Sequence, residues 1–231
     1  MSSNSNKSGS SAMDRQLTRQ EKATLFDVLE VAMRVLRDGK SSFEENSRFG
    51  KQIRRNNWYG SQTREDLVFK NDNIPRAEIL VTTQDDPLDY TDDRNAVPII
   101  PSEFEAHFAS PVTGVSIDEI KNALNVEDFW ADESGHKYVY PPGGLQISPR
   151  GTVFSYRYSA KQTSEMRFEV TASITYLAPD KTDASDGVRW LNNITLTRDY
   201  PYLTPEMRKQ KREEATARGQ AAYGQSKGTS Q

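Results

Sequence analysis

A chain of 231 residues with 30 basic and 33 acidic side chains carries a net charge of only -3, so no global field draws it toward nucleic acid or an anionic membrane. It contains no cysteine, which excludes disulfides, thiolate catalysis and cysteine metal sites. The hydrophobic fraction of 35% and a mean hydropathy of -0.80 are low for a uniformly folded domain, so part of the chain is expected to be solvated tail or loop.

Residues 1–16 are mostly small and polar, rich in Ser, Asn and Gly, the composition of a disordered tether. No charged start followed by an apolar run marks a signal peptide, and no window reaches the roughly 18 consecutive apolar residues of a membrane span. Taken literally, the chain is cytoplasmic. A tether of this composition also follows the lipidated cysteine of bacterial lipoproteins. If Met1 stands in for such a cysteine, the protein is periplasmic, and a toxin-neutralising immunity or inhibitor role becomes an expectation.

Thr18 and Glu21 have capping-box spacing. Leu25, Val28, Leu29, Ala32, Val35 and Leu36 follow at steps of three and four, with Phe26 and Met33 widening the stripe, which predicts an amphipathic helix over residues 19–38. Gly39 supplies the stop. Gly39, Lys40, Ser41 and Ser42 resemble the end of a phosphate loop, but the earlier glycine is missing and the segment closes a helix where such a loop opens one.

Residues 41–59 are ambiguous, with Phe43, Phe49, Ile53 and Trp58 compatible with a second helix. Residues 78–82 predict a short strand. Residues 84–101, with Asp85, Asp86, Asp89, Asp92 and Asp93 among prolines, predict an acidic loop and mark the place where a sub-boundary would fall. A calcium loop needs a central Gly and a final Glu that are not placed here.

Ser116 and Glu119 repeat the capping-box spacing, and Ile117, Ile120 and Leu124 predict a two-turn helix. Tyr138 and Tyr140 start a sheet, and prolines and glycines at 141–144 and 148–151 turn the chain. Three alternating runs follow. Phe154, Tyr156 and Tyr158 share a face opposite Ser155 and Arg157. Phe168, Val170, Ala172, Ile174 and Tyr176 share a face opposite Arg167, Glu169, Thr171, Ser173 and Thr175. In the last run, Val188, Trp190, Ile194 and Leu196 are expected inward, which leaves Asn192 as an anomaly: hydrogen-bonded inside, or at a bulge. Thr204 and Pro205 open a terminal helix with almost no apolar face, and residues 209–231 are expected to fray.

The expected fold is therefore α+β: one domain over residues 17–208, with an antiparallel sheet of about four to five strands packed against the N-terminal helix and the short second helix.

Candidate chemistry is sparse. Zinc would have to join His107 or His136 with carboxylates such as Asp132 and Glu133, at a spacing that matches no metal motif. A small hydrolase would use His136 or His107 as its base, yet no Gly-x-Ser-x-Gly elbow points to a nucleophile. Arg48, Lys51, Arg54 and Arg55 lie beside Trp58 and Tyr59, a mixture suited to single-stranded nucleic acid, with Glu44, Glu45, Glu65 and Asp66 opposing their field. No cofactor fingerprint is present.

The polar face of the sheet is the leading candidate. Arg157, Arg167, Glu169, Arg189 and Asn193 are expected to project from it near Tyr138 and Tyr140, and Arg and Tyr are enriched in protein–protein hot spots. The alternative is an ordinary solvated face with cross-strand ion pairs. The sequence thus points to a non-enzymatic protein-binding or assembly protein. The hydrolase and nucleic-acid readings stay as alternatives.

Overall fold

The computed structural model of the chain describes residues 16–38, 47–57, 64–91, 97–131, 136–139, 146–148, 151–164, 166–178, 189–200 and 203–228. Helix α1 (Arg19–Asp38) begins as its sequence requires: Glu21 N donates to Thr18 Oγ1 at 3.2 Å, and Thr18 N donates to Glu21 Oε2 at 2.7 Å. Its stripe is buried, with Leu25, Val28, Leu29, Ala32, Val35 and Leu36 all 0–1% exposed. Each such Leu or Val contributes about 1.5–3 kcal/mol through burial.

The C-terminus of α1 ends inside the protein, where its last carbonyls would lack water. Arg198, only 2% exposed, donates from Nε to Leu36 O at 2.8 Å and from Nη2 to Val35 O at 3.2 Å. The amides of Arg167 and Phe168 both donate to Arg37 O at 3.1 Å. A cation here also answers the negative end of the helix dipole. Burial lowers the pKa of Arg198 from its ordinary value, and its guanidinium lies over the Phe168 ring, 4.2 Å from the centroid.

A 3-10 turn (Ser47–Phe49) leads into the sheet strands β1 (Lys51–Asn57), β2 (Glu65–Lys70), β3 (Ala77–Asp85) and β4 (Ile99–Val112). Helix α2 (Ile117–Leu124) and a small hairpin, β5 (Trp130–Ala131) with β6 (Lys137–Tyr138), follow. The second half of the sheet is β7 (Gln146–Ser148), β8 (Gly151–Ser159), β9 (Glu169–Ala178) and β10 (Trp190–Asp199), before a terminal helix α3 (Pro205–Gly228).

The strand order is β1-β2-β3-β4-β10-β9-β8-β7, and every pairing is antiparallel. Two four-stranded meanders thus meet at the β4–β10 seam. On one face Ile79, Phe104, Ala172, Ile174, Ile194 and Leu196 form a core with α1 and α2. Helix α2 carries the full capping box of Ser116 and Glu119, and Asn125 ends it in the left-handed conformation at φ 50°.

The α+β class holds, but the sheet is larger than the four to five strands expected: seven strands of six or more residues and the three-residue β7. The missed strands have identifiable causes. All seven residues of β1 are exposed, so it has no buried face to betray it. Strand β4 starts inside the proline-rich stretch read as loop, although Phe104, Ala106 and Phe108 alternate with Glu105 and His107 just beyond it.

Asn192 marks a bulge. The β4–β10 register runs from Leu191↔Val112 to Asn193↔His107, so four residues of β4 oppose one of β10. The bulge reverses the facing of the residues before it, which corrects two assignments, Trp190 expected inward and Arg189 expected on the polar face: Leu191 is in the core while Trp190 pairs with Leu177 on the opposite face. Arg189 moves with Leu191 to the core side. There its guanidinium lies 4.4 Å from the centroid of Phe154 and 5.7 Å from that of Tyr156.

Helix α3 opens at Thr204 and Pro205 and continues to Gly228, through the stretch expected to fray. Its described side chains are exposed apart from half-buried Ala215, as a helix without an apolar stripe requires. The turn at 141–144, Tyr140 and the 39–42 segment lie outside the described residues, as does most of the predicted tether.

Candidate functional site

The register across the sheet defines the face opposite the core. One row runs Arg54, Val68, Leu80, Glu105, Thr195, Ser173, Arg157. The row on one side is Lys51, Lys70, Glu78, His107, Asn193, Thr175, Ser155, and on the other Asn56, Asp66, Thr82, Glu103, Thr197, Thr171, Ser159. Directly opposed residues on antiparallel strands share a face. The face is therefore charged over β1–β4 and a lawn of Ser, Thr and Asn over β10–β8. Within the charged half, burial and then the neighbouring Glu105 raise the pKa of Glu103.

The residues expected to form one surface separate into distinct places. Asn193 lies on the polar lawn between His107 and Thr175. Glu169 starts β9, exposed, and accepts from Gln162 Nε2 at 3.1 Å. Arg167 precedes the strand; its Nη2 is 3.1 Å from Oδ2 of Asp86, whose carboxylate is buried. Arg189 sits on the other side of the sheet, as above. Arg157 and Tyr138 do come together, through a residue outside the alternating runs.

That residue is Trp130. The 126–131 segment covers the free half of the β8 edge: Glu127 N donates to Ser159 O at 2.8 Å, Ser159 N to Phe129 O at 2.9 Å, and Ala131 N to Ser159 Oγ at 3.0 Å. These bonds fix Trp130 beside Arg157, whose guanidinium lies 4.4 Å from the indole centroid. Tyr138, paired with Trp130 across the hairpin, stacks on it with centroids 5.1 Å apart and planes at 28°. Lys137 lies over Phe129 at 4.3 Å. Tyr138 is 44% and Val139 73% exposed. A tryptophan and a phenylalanine side by side in the acidic stretch before His136 were the available signal.

A second apolar group stands on the same face. Trp190, Leu177 and Val153 are cross-strand neighbours on β10, β9 and β8, all half-buried. Val153 and Arg157 are four residues apart on β8, about 13 Å at the rise of an extended strand. Ser155 and Thr175 lie between the two aromatic groups.

The other candidate residues are dispersed. His107 is exposed, and its Nδ1 is 3.9 Å from Glu105 Oε1, beyond hydrogen-bond reach. His136 is exposed; Asp132 and Glu133 lie outside the described residues. Among the described residues no group of three His, Asp or Glu is placed to hold a metal. Asp86 and Asp89 accept, through Oδ1, from the amides of Leu88 and Thr91, both at 2.9 Å; these are turn-forming bonds. Arg54 and Arg55 fall on opposite faces of β1, with Glu78 3.7 Å from Arg54 and Glu65 3.0 Å from Arg55; Arg48 pairs with Asp27. Trp58 and Tyr59 are outside the described residues.

Among the described residues, open clefts lie beside the sheet. One, of about 500 Å³, lies between the 86–91 turn, Arg167 and Arg218. The other, of about 620 Å³, is lined by Asp27, Arg48, Lys51 and Lys70. Neither histidine lines either cleft. No described helix is long and apolar enough to cross a membrane. Comparison with protein-family models, curated proteins and solved structures finds no match for the chain.

Proposed function

We propose that the chain is a non-enzymatic protein-binding module whose contact surface is the β8 side of the polar sheet face. The observation that carries this reading is the stack of Tyr138, Trp130 and Arg157 at the surface. Tyr, Trp and Arg are the side chains most enriched in hot spots. Stacking already restricts their rotamers, so a partner loses less entropy in ordering them. None of these three side chains lines either of the two clefts described above, and a small-molecule site is usually a pocket.

Trp190, Leu177 and Val153 supply a second apolar anchor, and the Ser and Thr lawn between supplies hydrogen-bonding groups that tolerate exposure in the free protein. An immunity or inhibitor role is one form such binding takes, and it requires the partner to be an enzyme silenced by the complex.

The test is affinity capture from the native source with wild type and with a Trp130→Ala, Arg157→Ala variant. A partner held by wild type and released by the variant, with the fold intact by circular dichroism, is the expected result. A partner bound equally by both would overturn the reading.

A further inference from the structure

We propose that the outer edge of β1 accepts an extended acidic segment of a partner protein as an added strand. Strand β1 ends the sheet order, and all seven of its residues are exposed. The edge of a terminal strand presents main-chain donors and acceptors outward, which is the template used in strand addition.

The side chains select among occupants. The strand carries Lys51, Arg54 and Arg55 and no acidic residue. Antiparallel pairing of two copies centred on Arg54 would set guanidiniums face to face, which opposes self-association. Lys51 already opposes Lys70 across the β1–β2 pair, and both line a cleft whose other charged groups are Arg48, paired with Asp27, and Asp72. A carboxylate in this place relieves a like-charge contact. The ion pairs of Arg54 with Glu78 and Arg55 with Glu65 leave both guanidiniums about half exposed, with side-chain exposures of 56% and 49%. Solvated pairs of this kind are worth about 0–1 kcal/mol, so the arginines can change partner at small cost.

The facing of the two arginines sets the pattern of the occupant. Successive residues of a strand point to opposite faces, and Arg54 opposes Val68 while Arg55 opposes core-facing Leu67. At positions 54 and 55 an added strand therefore meets an arginine on each face, which calls for acidic residues at consecutive positions, and Lys51 adds a second cation on the face of Arg54. A nucleic-acid backbone, which follows cations along a single groove, would engage only one of the two arginines. Ile53, at the bulge and 53% exposed, gives the added strand an apolar contact. This edge lies across the sheet from the Trp130 surface, so the two proposals stand or fall separately.

The test titrates the full chain with four probes: a β-prone peptide of the length of β1 with two consecutive glutamates at its centre, the same peptide with lysines in their place, the glutamate peptide N-methylated at alternate amides, and an oligothymidine. Amide hydrogen exchange is read residue by residue. The glutamate peptide should slow exchange at alternate positions in β1, and the lysine peptide should bind at least about tenfold more weakly. N-methylation should abolish the protection. Arg54→Glu with Arg55→Glu should reverse the preference between the two peptides; Lys51→Glu serves as a milder variant if that pair unfolds the edge. Equal binding of the N-methylated peptide, protection by oligothymidine in place of the peptide, or no protection by the glutamate peptide would overturn the proposal.

Discussion

Arg198 holds the end of α1 to the sheet, and replacing it with methionine tests how much that attachment is worth. The side chain makes two hydrogen bonds to helix carbonyls at 2.8 and 3.2 Å, each worth about 1.5–3 kcal/mol when one partner is charged. The contact with Phe168 at 4.2 Å adds about 2 kcal/mol at a desolvated site. Holding a guanidinium at 2% exposure opposes these gains by several kcal/mol. Methionine removes the desolvation cost and keeps much of the volume, but it leaves Val35 O and Leu36 O without their donors. The net loss should be about 2–4 kcal/mol. Lysine, a single point donor, should fall between wild type and methionine. Equilibrium urea unfolding gives the loss, and hydrogen exchange should show it concentrated in the last turn of α1 and the start of β9. A methionine variant within about 0.5 kcal/mol of wild type would show that desolvation cancels the bonds and that Arg198 does not hold α1.

Four other outcomes follow from single residues. Ser116→Ala removes the cap of α2 and should cost about 1 kcal/mol by thermal or urea unfolding. Gly50→Ala should cost more, about 2 kcal/mol, because φ is +100° and an added Cβ would stand 2.3 Å from Lys70 O. Glu103, with its pKa raised by burial and Glu105, binds its proton more readily folded than unfolded, so its cost to stability appears as pH rises through the carboxylate range. Glu103→Gln should stabilise the protein at pH 7 and lose that advantage once pH falls below the unfolded glutamate pKa, checked by melting temperature against pH. Glu119 is the opposite case: the bonds from Lys22 and Ser116 lower its pKa, so Glu119→Gln should destabilise at neutral pH and become neutral in acid.

The parts of the fold legible in the sequence are those whose local chemistry and tertiary burial agree. Thr18 with Glu21 and Ser116 with Glu119 close both capping boxes, because a cap is settled within four residues. Strands β8 and β9 bury the inward set that their alternation marks, with Tyr156, Tyr158, Val170, Ala172, Ile174 and Tyr176 all in the core. Period two fails where geometry breaks it. The bulge at Asn192 inverts the facing of Arg189 and Trp190, and nothing in the local sequence fixes which side of a bulge keeps the phase. Strand β1 was hidden because an edge strand with both faces wet needs no apolar period. Arg198 was legible in principle: it continues the inward series of Ile194 and Leu196, and a cation on an inward position needs a buried partner.

The site shows the same division. Alternation placed Asn193 and Arg157 on the polar face, since both follow from parity along a strand. It did not reveal Trp130, which reaches Arg157 only because the 126–131 segment folds back on the β8 edge, and a contact of that separation leaves no periodic trace. Arg167 and Glu169 share one parity in sequence, yet Arg167 lies before the strand and turns to Asp86, a partner far away in the chain.

On the function proposed here, Trp130, Tyr138 and Arg157 form the surface through which a partner is held. A photo-crosslinking amino acid is placed at position 138, and separately at position 209 on exposed α3, and each protein is irradiated in extracts of its native source. A discrete crosslinked partner is expected from position 138, lost with Trp130→Ala and absent from position 209. Crosslinks from position 209 to the same partner, with none from 138, would contradict that function.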